Sequence, residues 1–141
     1  MIKCNFVSMK TYSTEITVRG FHIDVFGHTN NARYLEFMEI ARWDALQPII
    51  STGFFEKRHL GFVIVNININ YKAASFVNDI LEVKTTMKKI GNRSITVHHE
   101  IFDKTKGHAV SDADVTFVIM DLKLRKAIVL EGEVRDVFEN M

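Results

Sequence analysis

The chain has 141 residues, with 18 Lys and Arg against 17 Asp and Glu, a formal net charge of +1. So even a balance gives no electrostatic case for nucleic acid or an anionic membrane surface as partner. With 47% hydrophobic and 25% charged residues, the composition suits a packed core and excludes a disordered chain.

A single cysteine, Cys4, excludes an intramolecular disulfide and a cysteine-rich zinc site. No apolar run reaches the ~18 residues that a membrane helix needs. The N-terminus lacks the continuous apolar stretch of a signal peptide. The cytoplasm is therefore the expected setting. No repeat, linker or low-complexity tract divides the sequence. Residues 1–141 read as a single domain, with residues 1–8 as an extra N-terminal segment and Met9 as the start.

Residues 14–24 read as the first strand. Ile16 and Val18 alternate with Glu15, Thr17 and Arg19 at period two. The same parity leans Asp24 toward the apolar side, unless Gly20 marks a bulge. Residues 25–30 read as a loop. A helix is predicted from Asn31 to about Gln47, opened by the N-cap types Thr29, Asn30 and Asn31. Ala32, Leu35, Met38, Ala41, Trp43 and Leu46 cover most of its girth, which predicts a helix inside the protein. Pro48, the only proline, should stop or kink it.

Beyond Gly61 the apolar period changes from 3.6 to two. Val63, Val65, Ile67, Ile69 and Tyr71 are expected on one face of a strand, with Asn66, Asn68 and Asn70 on the other. Leu81, Val83, Thr85 and Met87 form a second inner face, followed by a turn at Gly91-Asn92. Ile95, Val97, His99 and Ile101 form a third. A turn at Lys104–Gly107 leads to Ala109, Ala113, Val115, Phe117 and Ile119. Lys126–Leu130 reads as a short last strand, and Glu131–Asn140 as a short helix. Short turns make antiparallel hairpins. An antiparallel sheet with one apolar face must cover that face, and the apolar helix has the right size. The expected architecture is α+β, an antiparallel sheet wrapped around one long central helix.

Chemistry concentrates in Asp24-Val-Phe-Gly-His-Thr-Asn-Asn-Ala-Arg-Tyr34. A carboxylate precedes a glycine loop, and a helix starts immediately after. The first turn of a helix presents unpaired N–H groups and a partial positive charge. Such a turn can hold a carbonyl oxygen as negative charge develops on it. A nearby carboxylate can attack that carbonyl or activate a water. Taken alone, Asp and Asn before a helix also serve simply as caps.

The whole segment, from Val18 to Asp44, resembles the hotdog-fold acyl-CoA thioesterases of the 4-hydroxybenzoyl-CoA thioesterase type. Within them it is most similar to the bacterial long-chain acyl-CoA thioesterases of the thioesterase III group. Val63-Ile-Val-Asn-Ile-Asn-Ile-Asn-Tyr71 and Leu130-Glu-Gly-Glu133 carry the same resemblance, which spans Lys10 to Met141. The resemblance implies that Asp24 is the catalytic carboxylate and that the backbone N–H of Asn31 polarises the thioester carbonyl. It implies that Gly27 lets substrate approach the backbone, and that His28, Asn30 and Tyr34 shape the pocket. It also implies a homodimer or homotetramer, a pocket at the subunit interface, and pairing of the Val63–Tyr71 strand with its mate. The reaction it implies is hydrolysis of an acyl-CoA to fatty acid and coenzyme A, with no cofactor and no metal. The closer similarity points to long acyl chains.

Other residues admit secondary roles. His22 lies two residues before Asp24 and could reach the pocket or simply pack. His98 and His99 are adjacent on a strand and must face opposite sides, so they cannot chelate together. Lys88, Lys89, Arg93, Lys104 and Lys106 could meet coenzyme A phosphates or form an ordinary basic surface. Glu36 and Glu39 suit helix ion pairs with Arg33 or Arg42. Asp112 and Asp114 are expected to face solvent. A hydratase of similar fold would need a base such as His28 paired with Glu36 or Glu39. A non-catalytic acyl-CoA-binding protein is the third reading.

Overall fold

The computed structural model describes residues 10–141. Residues 1–8, expected as an extra segment, and the expected start Met9 lie outside the described residues. The elements run β1 (Thr11–Thr17), a single 3-10 turn (Gly20–His22), α1 (Asn31–Ile50), α2 (Phe54–Lys57) and β2 (Leu60–Tyr71). Next come β3 (Ile80–Ile90), β4 (Ser94–Asp103), β5 (His108–Asp121), β6 (Lys126–Ala127) and α3 (Gly132–Glu139). The strands form one antiparallel sheet in the order β1-β3-β4-β5-β2, with the short β6 added to β5.

Helix α1 lies across the apolar face. Tyr34, Phe37, Met38, Ala41, Ala45 and Leu46 are buried on it. All but Ala45 pack in one core with Leu81 and Val83 of β3, Ile95, Val97 and Ile101 of β4, and Val115, Phe117 and Ile119 of β5. Each large side chain removed from water in this way stabilises by about 1.5–3 kcal/mol. At the far end of the sheet Phe55, Phe62, Phe117 and Phe138 meet with ring centroids 4.7–6.4 Å apart. That aromatic cluster fastens α2 and α3 to the sheet. The expected α+β architecture, a sheet wrapped on one long helix, is what the chain adopts.

Several local expectations are corrected. The first strand ends at Thr17, not at residue 24. Val18 turns into the core and donates its N–H to the Asp79 carbonyl at 2.9 Å. The 3-10 turn then closes through His22 N–H to the Arg19 carbonyl, also at 2.9 Å. Asp24 is therefore placed by a turn and not by strand parity. Helix α1 continues through Pro48 to Ile50. A proline in the last turn forgoes one hydrogen bond, while Ile49 and Ile50 beyond it pack against the core. Nor is α1 enclosed all round, since Ala32, Ile40 and Trp43 face outward from the sheet.

In β2 a bulge between Ile64 and Asn66 leaves Val65 without a partner. The bulge shifts the inner set to Phe62 and Ile64, opposite Ile119 and Phe117, and puts Val63 on the outer face opposite Val118. Further along, Ile67, Ile69 and Tyr71 keep their expected face. A second bulge sits in β5, where Val110 takes the buried place expected for Ala109. The expected strand at Lys126–Leu130 is confined to Lys126–Ala127. No helix among the described residues is long and apolar enough to cross a membrane.

Candidate active site

Asp24 comes after the 3-10 turn and opens a loop that folds back on itself. Its N–H donates to the His28 carbonyl at 3.2 Å, and Gly27 N–H donates to the Asp24 carbonyl at 3.0 Å. Ile23 and Thr29 pair across the neck of the loop. Gly27 sits at its exposed tip with φ +81°, a left-handed conformation that costs a side chain ~1–2 kcal/mol. The glycine is thus required by the turn itself.

Both carboxylate oxygens of half-buried Asp24 accept hydrogen bonds. Oδ1 takes the Phe26 N–H at 2.9 Å, and Oδ2 takes the Asn30 side-chain amide Nδ2 at 3.1 Å. Asn30 is the N-cap of α1, and its Oδ1 accepts the Ala32 N–H at 2.9 Å. The Asn30 carbonyl accepts the Arg33 N–H at 2.9 Å. Of the N–H groups that open α1, that of Asn31 has no acceptor among the described residues. It adds to the positive end of a 20-residue helix.

Asp24, Phe26, His28, Thr29, Asn31 and Tyr34 line one open cleft, together with Tyr71 and residues 72–74. The loop and the helix start supply its polar side. Tyr71 donates its hydroxyl to the Asn31 carbonyl at 3.1 Å and closes the opposite wall. Buried Tyr34 bonds the Ser75 hydroxyl at 2.9 Å, and that hydroxyl meets Thr29 Oγ1 at 2.8 Å. Thr29 N–H donates to the Ser75 carbonyl at 2.8 Å. The segment after β2 is thereby clamped to the start of α1. Sequence reading gave Thr29 only as a cap type and Tyr71 only as a strand residue, and missed Lys72 and Ser75. The spacing gives no sign of these contacts, because residues 29–34 and 71–75 meet only in three dimensions.

A second cleft lies on the other side of Asp24, lined by Phe21, His22, Ile23, Asn30, Ala32, Arg33 and Glu36. The Asp24 carboxylate thus stands in a wall between two clefts. His22 is buried against Phe21 and Phe37, with ring centroids at 4.1 and 4.9 Å. Its Nδ1 accepts the Arg19 N–H at 2.9 Å, which places the proton of the neutral ring on Nε2. Burial, then the Arg33 and Arg19 charges, push its pKa below the ordinary histidine range.

The remaining sequence candidates separate. His28 directs Nδ1 to the Thr29 carbonyl at 3.2 Å, in the first cleft. Glu36 pairs with Arg33 at 2.8 Å in the second. No His28–Glu36 pair forms. His99 is buried inside the sheet, whereas His98 lies on the outer face, 2.7 Å from Asp114. Asp112 and Asp114 are not simply solvated, since Lys72 and Lys88 reach them at 2.5 Å. Lys104 pairs with Glu15, and Lys106 with Asp79. Lys88, Lys104 and Lys106 are thus held in separate ion pairs and Arg93 donates to the Ala127 carbonyl at 3.1 Å, while the cleft's own lysine is Lys72.

An antiparallel sheet wrapped on one long helix is the fold of the hotdog thioesterases. The sequence matches the profile of the Thioesterase-like superfamily over residues 18–138, and the chain belongs to that family. It is 44% identical over 128 residues to the long-chain acyl-CoA thioesterase FadM of Escherichia coli, covering 91% of this chain and 97% of that protein. The acyl-CoA thioesterase YbgC of Haemophilus influenzae is 28% identical over 132 residues, with 92% and 96% covered. Among solved structures, the probable thioesterase YbaW of E. coli superposes with a TM-score of 0.85 at 43% identity, covering 92% of this chain and 98% of that one.

Proposed function

We propose that this enzyme hydrolyses long-chain acyl-CoA thioesters to free fatty acid and coenzyme A. One observation carries the reading: the Asp24 carboxylate and the free N–H of Asn31 border the same cleft. The relatives' printed activities supply the substrate class. The thioester carbonyl oxygen would lie at the Asn31 N–H. Asp24 would act on the carbonyl carbon, directly or through a water. Either route passes through a tetrahedral oxyanion, and one such donor is worth ~3 kcal/mol. Gly27, His28, Asn30, Tyr34 and His22 shape the surroundings of the reacting group.

The active form is a homodimer or a pair of dimers, joined along β2. That strand ends the sheet and exposes Ile64, Val65 and Ile67. An unpaired edge of this kind is a template for another strand. The cytoplasm is the setting in which the reaction would occur.

The test is thiol release from palmitoyl-CoA by the wild type and Asp24→Asn, with folding and assembly checked for both. Loss of a carboxylate acting as acid–base catalyst lowers the rate ~100-fold or more. Equal rates would remove Asp24 from the chemistry. Tight acyl-CoA binding without turnover by the wild type would replace hydrolysis with a binding function.

A further inference from the structure

Asn30 has two faces, and the cap decides which atom each presents. The Ala32 N–H must meet an oxygen, so Oδ1 is fixed on the helix side. Nδ2 is then forced to the opposite side, where it meets Asp24 Oδ2 at 3.1 Å. Ser, Thr or Asp would cap the helix about as well. Of these cap types only Asn has a second group that donates. The cap therefore explains an acceptor at position 30, and Asp24 explains why the residue is asparagine.

We infer that Asn30 is the positioning residue of the site, the amide that fixes the Asp24 carboxylate relative to the first turn of α1. The inference rests on the role of Asp24 proposed above. Asn30 borders the cleft of Arg33 and Glu36, not the one that Asn31 borders. It reaches the reacting atoms only through Asp24. The Phe26 N–H holds the other oxygen, so the carboxylate is pinned at two points. Without Nδ2, the carboxylate keeps only the Phe26 N–H, and a single bond does not fix the rotation of the group.

Two substitutions separate this role from capping. Asn30→Ser keeps a cap and removes the donor without adding charge. It should lower kcat roughly tenfold to a hundredfold, the range for a bond to a charged group, with KM within about twofold and Tm close to wild type. Asn30→Asp also keeps a cap but sets a second carboxylate against Oδ2. Like charge disfavours a second ionised carboxyl, so the acid limb of the kcat/KM profile should move to higher pH. The Asp24 carboxyl, followed directly by carbon-13 NMR, should titrate higher in Asn30→Asp than in wild type. An unmoved NMR titration overturns the inference whether or not the protein hydrolyses acyl-CoA. Rates that fall only in step with Tm also overturn it. Absence of wild-type turnover with a shifted NMR titration would retain Asn30's hold on Asp24 and discard the hydrolase reading.

Discussion

His99 shows how much a single side chain can depend on its surroundings. It is fully buried between the sheet and α1, where Arg42 Nη1 donates to Nε2 at 3.3 Å and Nδ1 bonds the Thr85 hydroxyl at 2.9 Å. Burial, aided by the Arg42 charge, pushes its pKa down to about 3. In the unfolded chain the group titrates near ~6.5. Neutral His99 thus contributes stability that is complete above that value and is lost as pH falls toward 3. Urea midpoints at pH 7 and pH 4.5 should differ less in His99→Gln than in wild type; equal differences would show that His99 does not couple folding to protons. The two-faced placement of His98 and His99 was readable from strand alternation. The Arg42 partner was not, because helix and strand meet only on folding. The local placement of Asp24 was not legible. The Gly20–His22 turn has no period to detect, so extended parity ran past the end of the strand.

Elements were most legible where their period was uninterrupted. The inner face of β4 keeps strict alternation through Ile95, Val97, His99 and Ile101. Alternation fails in β2 and β5 for one physical reason: a bulge adds a residue and moves the rest of the strand to the other face. Helix α2 was invisible because four residues hold too little pattern. It is held by Phe55 against Phe62 and Phe138, not by its own propensity. Helix α3 depends on the same cluster, and Phe138 is its fully buried anchor. Phe138→Ala should cost about 3–5 kcal/mol in denaturant unfolding. A loss below ~1 kcal/mol would mean that the cluster collapses around the gap and that α3 is held by other contacts.

For the whole molecule, the polar outer face and the apolar edge have different uses. On the outer face Asn70, Asp112 and Lys72 join, as do His98, Asp114 and Lys88. These bonds engage Asn70, Asp112 and Asp114, which were expected away from the core. The β2 edge, by contrast, leaves its backbone groups and Val65 open, with Val65 55% exposed. A lysine at such an edge opposes strand pairing. Val65→Lys should convert the proposed dimer to monomer in sedimentation velocity without unfolding the subunit. An unchanged sedimentation coefficient would place the contact elsewhere. The open edge was foreseeable from family resemblance, whereas the bulge that presents Val65 came only from the register.

Every bond that orients Asp24 closes within residues 24–30, whereas the far wall of its cleft comes from residues 71–74. On the proposed reading of Asp24, reactivity and fit are thus written in separate stretches of the sequence. Changes at Ala73 or Ala74 can widen or narrow the space offered to a substrate while leaving the carboxylate in its place. A scaffold partitioned in this way can drift among acyl groups by single steps, with the chemistry inherited intact.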